Sequence, residues 1–230
     1  MIPLVLLPGM MCDARLFAPQ IAALSGGRAI HHAPIGGHAT IPELAAEVLA
    51  HAPPRFALAG LSMGGIVAME MLEQAPGRVA RLALLDTNPR AELPEVRARR
   101  LPQIEKARTG RLAEVIRDEM KPNYLAETPR KAAILDLCMA MALDLGPGVF
   151  VRQSQALAIR ADRQETLRRV NVPTLVLCGA SDRLCPPERH ELMHRLIPGS
   201  KLHVVENAGH MPTLEQPEET TAALRRWLED

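Results

Sequence analysis

The sequence predicts an α/β protein: a mostly parallel sheet of about six strands, flanked by helices and carrying one helical insertion. Three observations predict it. Short apolar runs recur along the 230 residues, and each is followed by a helical pattern. The runs are apolar along their whole length rather than alternating, as in strands covered on both faces. Between about residues 90 and 169 the strand rhythm stops and only helical stripes remain.

The elements follow in order. A first strand is expected over residues 2–7, stopped by Pro8 and Gly9, and a less clear one over 28–33. Residues 41–50 form a helix with Leu44, Ala45, Val48 and Leu49 on one face. RFALAGL (55–61) is a strand and 64–74 a helix. VARLALL (79–85) and VPTLVLC (172–178) are strands. A helix over 188–197 follows Pro186-Pro187, a strand covers 201–206, and a last helix covers 217–228 with Pro217 at its start.

In the insertion, Val96, Arg100, Leu101 and Ile104 share one stripe, and Leu112, Val115, Ile116 and Met120 a second. Ile134, Leu135, Cys138, Met139, Ala142 and Leu145 form a third, broken by Gly146-Pro147-Gly148, with a fourth helix over 149–159. The expected division is therefore 1–89 and 170–230 as the core and 90–169 as a helical cap. The cap carries 16 basic and 11 acidic residues, while the whole chain has a formal charge of +1. A near-neutral chain argues against a general nucleic-acid role.

A chain of this size can bury a core without disulfides or metals. The four cysteines (Cys12, Cys138, Cys178, Cys185) are scattered with no C-x-x-C pair, which reads as reduced thiols in a cytoplasmic protein. The apolar N-terminus has no basic flank or cleavage site, and no apolar stretch reaches the length of a membrane span.

After the strand RFALAGL comes Gly60-Leu61-Ser62-Met63-Gly64-Gly65, a G-x-S-x-G between strand and helix. A sharp turn there strains the Ser backbone and exposes Oγ, and the residues two before and two after must be tiny because strand and helix approach closely. A serine needs a base, and the base needs an orienting carboxylate. Both are expected past later strand ends, in the order Ser, acid, His. Asp182 follows VPTLVLC and His210 follows LHVVE. Asp86, after LALL, is a second candidate acid. The loop Leu7-Pro8-Gly9-Met10-Met11 would supply the Met10 N–H as an oxyanion donor beside the Met63 N–H, with Gly9 turning the backbone in.

A competing pattern is His190-Glu191-Leu192-Met193-His194, which fits H-E-x-x-H, the zinc-peptidase spacing. The two patterns are about equally rare by chance, so context must decide between them. This helix is expected to bury Leu192, Met193, Leu196 and Ile197, with His190 and His194 on a polar flank away from the strand ends.

With LLPGM, GLSMGG, LVLCGASDRLCPP and VVENAGHMPTLEQPEE in hand, the chain resembles the α/β-hydrolase superfamily. Within it the chain looks most like small bacterial carboxylesterases of the pimeloyl carrier-protein methyl ester type. The resemblance implies an α/β-hydrolase fold, Ser62 as nucleophile, Asp182 as acid, His210 as base, Met10 and Met63 N–H as the oxyanion hole, and residues 90–169 as a cap. Two departures stand out. Pro8 occupies the place of the usual His before the oxyanion-loop glycine, and the first strand corresponds to the family's third, so about six strands are expected instead of eight. The implied substrate is a small-molecule ester or thioester, carrier-bound or free, with no metal, organic cofactor, nucleic acid or membrane required. Met10, Met11, Met63, Met139, Met141 and Met211 are candidates for an adaptable apolar pocket. C–C bond hydrolysis, lactone opening and perhydrolysis run on the same triad, and a non-enzymatic receptor keeps the same fold, so these readings stay open.

Overall fold

The computed structural model describes residues 1–229; Asp230, the last residue of the expected core range, lies outside the described residues. In chain order the elements are β1 (Leu4–Leu7), a 3-10 turn (Ala14–Phe17), α1 (Ala18–Leu24), β2 (Ile30–His32), α2 (Ile41–His51), β3 (Phe56–Leu61), α3 (Met63–Gln74) and β4 (Val79–Leu85). Then come α4 (Pro94–Arg108), α5 (Leu112–Glu114), a π-helical stretch (Val115–Met120), α6 (Lys131–Ala158) and α7 (Gln164–Arg168). The chain closes with β5 (Thr174–Gly179), α8 (Pro187–Leu196), β6 (Lys201–Val205), α9 (Pro212–Glu215) and α10 (Pro217–Glu229).

The six strands form one sheet in the order β2-β1-β3-β4-β5-β6, and every pairing is parallel. The chain leaves β1 toward one edge, returns to pair β3 on the other side of β1, and then grows outward. The order therefore reverses between β1 and β3, where loops at neighbouring strand ends diverge and leave a crevice for a ligand.

Strand periodicity splits the core in two. Val5, Leu7, Leu58, Leu84 and Val176 face α2, α3 and α8, while Leu4, Leu6, Ala57, Ala59 and Leu177 face α1 and α10. All ten are at most 1% exposed. Each fully buried Val or Leu contributes roughly 1.5–3 kcal/mol of transfer free energy. A third cluster joins Met11 to Ile104, Val115, Ile116, Ala142 and Phe150 of the helical segment.

The structure differs from the sequence reading at several elements. The helix α1 was not foreseen, because Pro19 interrupts a short pattern; here Pro sits in the first turn, where its missing N–H costs nothing. In α4 the inward residues are Ile104 and Ala107, and Leu101 is 69% exposed. The Gly146–Gly148 break is a kink, with Gly146 at φ 78 and ψ 173, inside one helical run over Lys131–Ala158. That run is long and apolar enough to cross a membrane by length and composition, which the interrupted sequence pattern did not show. Its buried residues lie on both sides of the kink, from Ile134 to Leu157.

Candidate active site

The serine turn is built where side chains do not fit. Ser62 has φ 54 and ψ −115, a left-handed conformation that L-residues avoid. A Cβ on Gly60 would stand 2.3 Å from the Gly64 carbonyl oxygen, and one on Gly64 would stand 2.2 Å from that of Leu7. A Cβ on Gly65 would reach 2.6 Å from the Thr87 hydroxyl. The turn is anchored from β4: Ser62 N–H donates to the Leu85 carbonyl at 2.9 Å, and Thr87 Oγ1 donates to the Ser62 carbonyl at 2.7 Å.

His210 lies past β6. Its ring Nε2 is 2.9 Å from Ser62 Oγ, and its Nδ1 is 2.8 Å from Asp182 Oδ2. Asp182 lies in the turn after β5, and its other oxygen accepts from Leu184 N–H at 2.8 Å and Cys185 N–H at 3.0 Å. Burial pushes the Asp182 carboxyl up, but the His210 charge and these donors outweigh it and leave it below the usual carboxylate range. Asp182 and His210 are 3% and 4% exposed, so their pairing is shielded from water.

The candidate acids separate cleanly. Asp86 is fully buried at φ 43 and accepts one bond from Gly179 N–H at 2.9 Å, whereas the His210 ring bonds to Asp182 and Ser62. Burial, then the neighbouring Asp182 charge, pushes the Asp86 carboxyl well up. Its second oxygen, Oδ2, is buried without a hydrogen-bond partner, which favours the protonated form.

Two supports of the His210 loop escaped the sequence reading. Glu215 is buried and collects the N–H groups of Ala126 (2.8 Å), Gly209 (2.9 Å) and Met211 (3.0 Å). The Tyr124 carbonyl accepts from His210 N–H at 2.6 Å. Gly209 is needed for close approach: its Cβ would stand 2.7 Å from the Tyr124 carbonyl oxygen. The one available signal was a carboxylate in a short Pro-started helix soon after the His.

A cavity of about 430 Å³ opens on Ser62 and His210 and is also lined by Met10 and Met63. The Met10 N–H has no acceptor among the described residues, and Met63 opens α3, so its N–H has none within the helix. Gly9 is not left-handed, and a Cβ there would make only ordinary contact at 3.5 Å; the left-handed residue of this loop is Met11, at φ 55. Of the expected methionines, Met10, Met63 and Met211 line the cavity, joined by Met120, whereas Met11 and Met141 are core. Glu92 is buried and pairs with Arg100 (2.6 Å) and Arg160 (3.1 Å) at the cavity wall. Arg99, Arg183 and Arg189 also line it and have no carboxylate partner among the described residues.

The H-E-x-x-H helix does not present its two histidines as expected. His190 is fully buried, not on a polar flank, because it lies three residues before the buried Met193 and so on the same helix face. Its Nε2 accepts from Thr87 N–H at 3.0 Å, while His194 Nδ1 bonds to Ser200 Oγ at 2.9 Å. The two rings serve different neighbours. The cysteines are free and buried, and burial raises each thiol, Cys138 to about 12.

A parallel α/β sheet with a strained serine, an imidazole and a carboxylate at its strand ends defines an α/β-fold hydrolase. The sequence profile of the alpha/beta hydrolase family matches residues 4–224, and the chain belongs to that family. It is similar to a pimeloyl-[acyl-carrier protein] methyl ester esterase of Neisseria meningitidis serogroup B, at 29% identity over 74% of this chain and 67% of that protein. It is 25% identical to the protein of the same name from Aliivibrio salmonicida, over 98% of this chain and 92% of that one. Among solved structures, a thermophilic esterase from Thermogutta terrifontis superposes with TM-score 0.90 at 30% identity, covering all of this chain and 90% of that one. An enol-lactonase from Burkholderia xenovorans LB400 superposes with TM-score 0.88 at 24% identity over all of this chain and 92% of that one, a likeness of fold.

Proposed function

We propose that this protein is a serine hydrolase that cleaves a carboxylic ester or thioester through an acyl-enzyme. One observation carries the reading: Ser62 Oγ, His210 and Asp182 are joined by hydrogen bonds of 2.9 and 2.8 Å at the floor of the cavity. His210 takes the Ser62 proton as Oγ attacks the carbonyl. The Met10 and Met63 N–H groups hold the oxyanion, and His210 returns the proton to the leaving alcohol or thiol. Water then repeats the sequence on the acyl-enzyme. Asp182 keeps Nδ1 protonated and steadies the imidazolium. Residues 90–169 serve as the cap that shapes the cavity.

The relatives named as carrier-protein methyl ester esterases favour an ester substrate, and a carrier-bound one is a specific form of it. Arg99, Arg183 and Arg189 at the cavity support an acidic substrate or carrier, since none of them is held in an ion pair among the described residues. Lactone opening, perhydrolysis and C–C cleavage use the same groups. Nitrophenyl esters of increasing acyl length, assayed with wild type, Ser62→Ala and a chelator control, test the reading. Hydrolysis that survives Ser62→Ala but not chelation overturns it.

A further inference from the structure

The loop after β1 has one turn bond of its own, from Cys12 N–H to the Gly9 carbonyl at 3.1 Å, and that bond does not engage the Met10 or Met11 N–H. Gly9 supplies no unusual backbone angle, and the residue that does, Met11 at φ 55, is of a type that rarely adopts it. Pro8 leaves no side-chain donor or acceptor at the start of the loop. Further support for the Met10–Met11 peptide comes from outside the loop.

That support comes from the helical segment. Met11 N–H is buried and donates to Gln153 Oε1 at 2.9 Å, and Gln153 Nε2 donates to the Ile35 carbonyl at 3.0 Å. Gln153 is 1% exposed and sits in the second half of α6, beyond the Gly146 kink and 142 residues from Met11. Both ends of its amide are occupied, so neither group can be lost without leaving a buried backbone atom unpaired. Its neighbour reinforces the tie: Arg152 Nε donates to the Gly36 carbonyl at 2.7 Å.

We infer that Gln153 is a positioning residue for the oxyanion site, clamping the Met10–Met11 peptide to the loop after β2 so that the Met10 N–H is held toward the cavity. The Met11 N–H and the Met10 carbonyl belong to one rigid peptide plane. Fixing that plane fixes the end of Met10 from which its own N–H is aimed. A donor held in place before reaction is what stabilises a developing oxyanion, and a donor free to swing loses much of that effect. The inference rests on the reading that Ser62 hydrolyses an ester.

The test compares wild type, Ser62→Ala, Gln153→Met and Gln153→Glu with a nitrophenyl ester and with two inhibitors. One inhibitor is a boronic acid, which becomes tetrahedral on Ser62; the other is the carboxylate product, which does not. Gln153→Met is expected to lower kcat by about 10–100-fold, less than the loss of a whole oxyanion donor, with KM within about twofold. Boronate affinity should fall by a similar factor and product affinity should hold. Gln153→Glu keeps an acceptor for Met11 and, when neutral, a donor for Ile35, so it is expected within about threefold of wild type. It carries the test if the Met variant does not fold. Unchanged kcat in a folded Gln153→Met, equal losses of boronate and product affinity, or a folded Gln153→Glu as impaired as Met would overturn the clamp. If wild type itself fails to hydrolyse esters, or Ser62→Ala remains active, the hydrolase reading falls first and the clamp with it.

Discussion

The Thr87 peptide N–H donates to Nε2 of His190 across 3.0 Å, while the Thr87 hydroxyl donates to the Ser62 carbonyl across 2.7 Å. One residue past the end of β4 thereby links α8 to the strained serine turn. His190 accepts at Nε2, so its proton belongs on Nδ1, which faces the Pro186 carbonyl at 3.4 Å. The ring is structural and neutral.

Neutral burial makes His190 a pH-dependent element of stability. Burial lowers its pKa from 6.5 to about 4. Between these values the unfolded chain binds a proton that the folded chain does not, so stability rises with pH across the window. The contribution is complete above about pH 6.5 and is lost as pH falls toward 4, by about 3 kcal/mol in all. Denaturant titrations at pH 7 and pH 4.5 should show this loss, and His190→Phe should flatten it. His190→Ala should cost about 2–4 kcal/mol at pH 7 by leaving a cavity and an unpaired Thr87 N–H. A chelator should leave the melting temperature of the wild type unmoved.

Asp86 and Asp182 should respond oppositely to the same change. Asp86 keeps its proton in the folded state at pH values where the unfolded chain has lost it, so it lowers stability as pH rises above its ordinary value. Asp86→Asn supplies a neutral group of the same shape that still accepts from Gly179 N–H. It should retain activity within a few fold and raise the melting temperature at pH 8 more than at pH 4. Asp182→Asn should lower kcat by about 10⁴-fold through the wrong His210 tautomer. Paired rates and melts of the two variants check the assignment; a severe kcat loss in Asp86→Asn alone would exchange the two roles.

Gly64→Ala should be among the costliest single-methyl changes in the chain. Its Cβ would lie 2.2 Å from a backbone oxygen of β1, where no side chain can give way. A loss of about 3 kcal/mol or more is expected, with activity falling alongside. Gly77→Ala, which has open space, should change stability by about 0.5 kcal/mol or less. Thermal melts of the pair give the contrast.

The cavity arginines predict a salt effect. For an ester bearing a distal carboxylate, kcat/KM should exceed that of its neutral methyl analogue at low salt, and the gap should close as ionic strength rises. Arg183→Gln with Arg189→Gln should shrink the gap without changing kcat for the neutral ester. Equal rates for both esters at all salt concentrations would remove the arginines from recognition.

Much of this was legible in the sequence because it is local. The strand VARLALL and the sheet core carry their pattern in consecutive residues, and Ser62, Asp182 and His210 each follow such a strand. Distant pairings were not legible. Glu215 gathers N–H groups from two loops, and Gln153 meets Met11 across 142 residues, with no spacing to announce either. His190 was misplaced: the sequence reading sets it on the polar flank of the helix, whereas its position three residues before Met193 turns it inward. The partner that makes burial tolerable, Thr87, lies 103 residues away.

The glycines around Ser62 and His210 have a consequence for how such a protein diversifies. Gly60, Gly64 and Gly179 each press against backbone, so no other residue can replace them without moving the sheet. The cavity wall contributed by Leu93, Val96 and Met120 carries no such constraint. Heritable variation is thus channelled away from the chemistry and into the walls. New substrates can be reached by exchanging wall residues while the reaction stays the same, and a mutant library aimed at specificity belongs there.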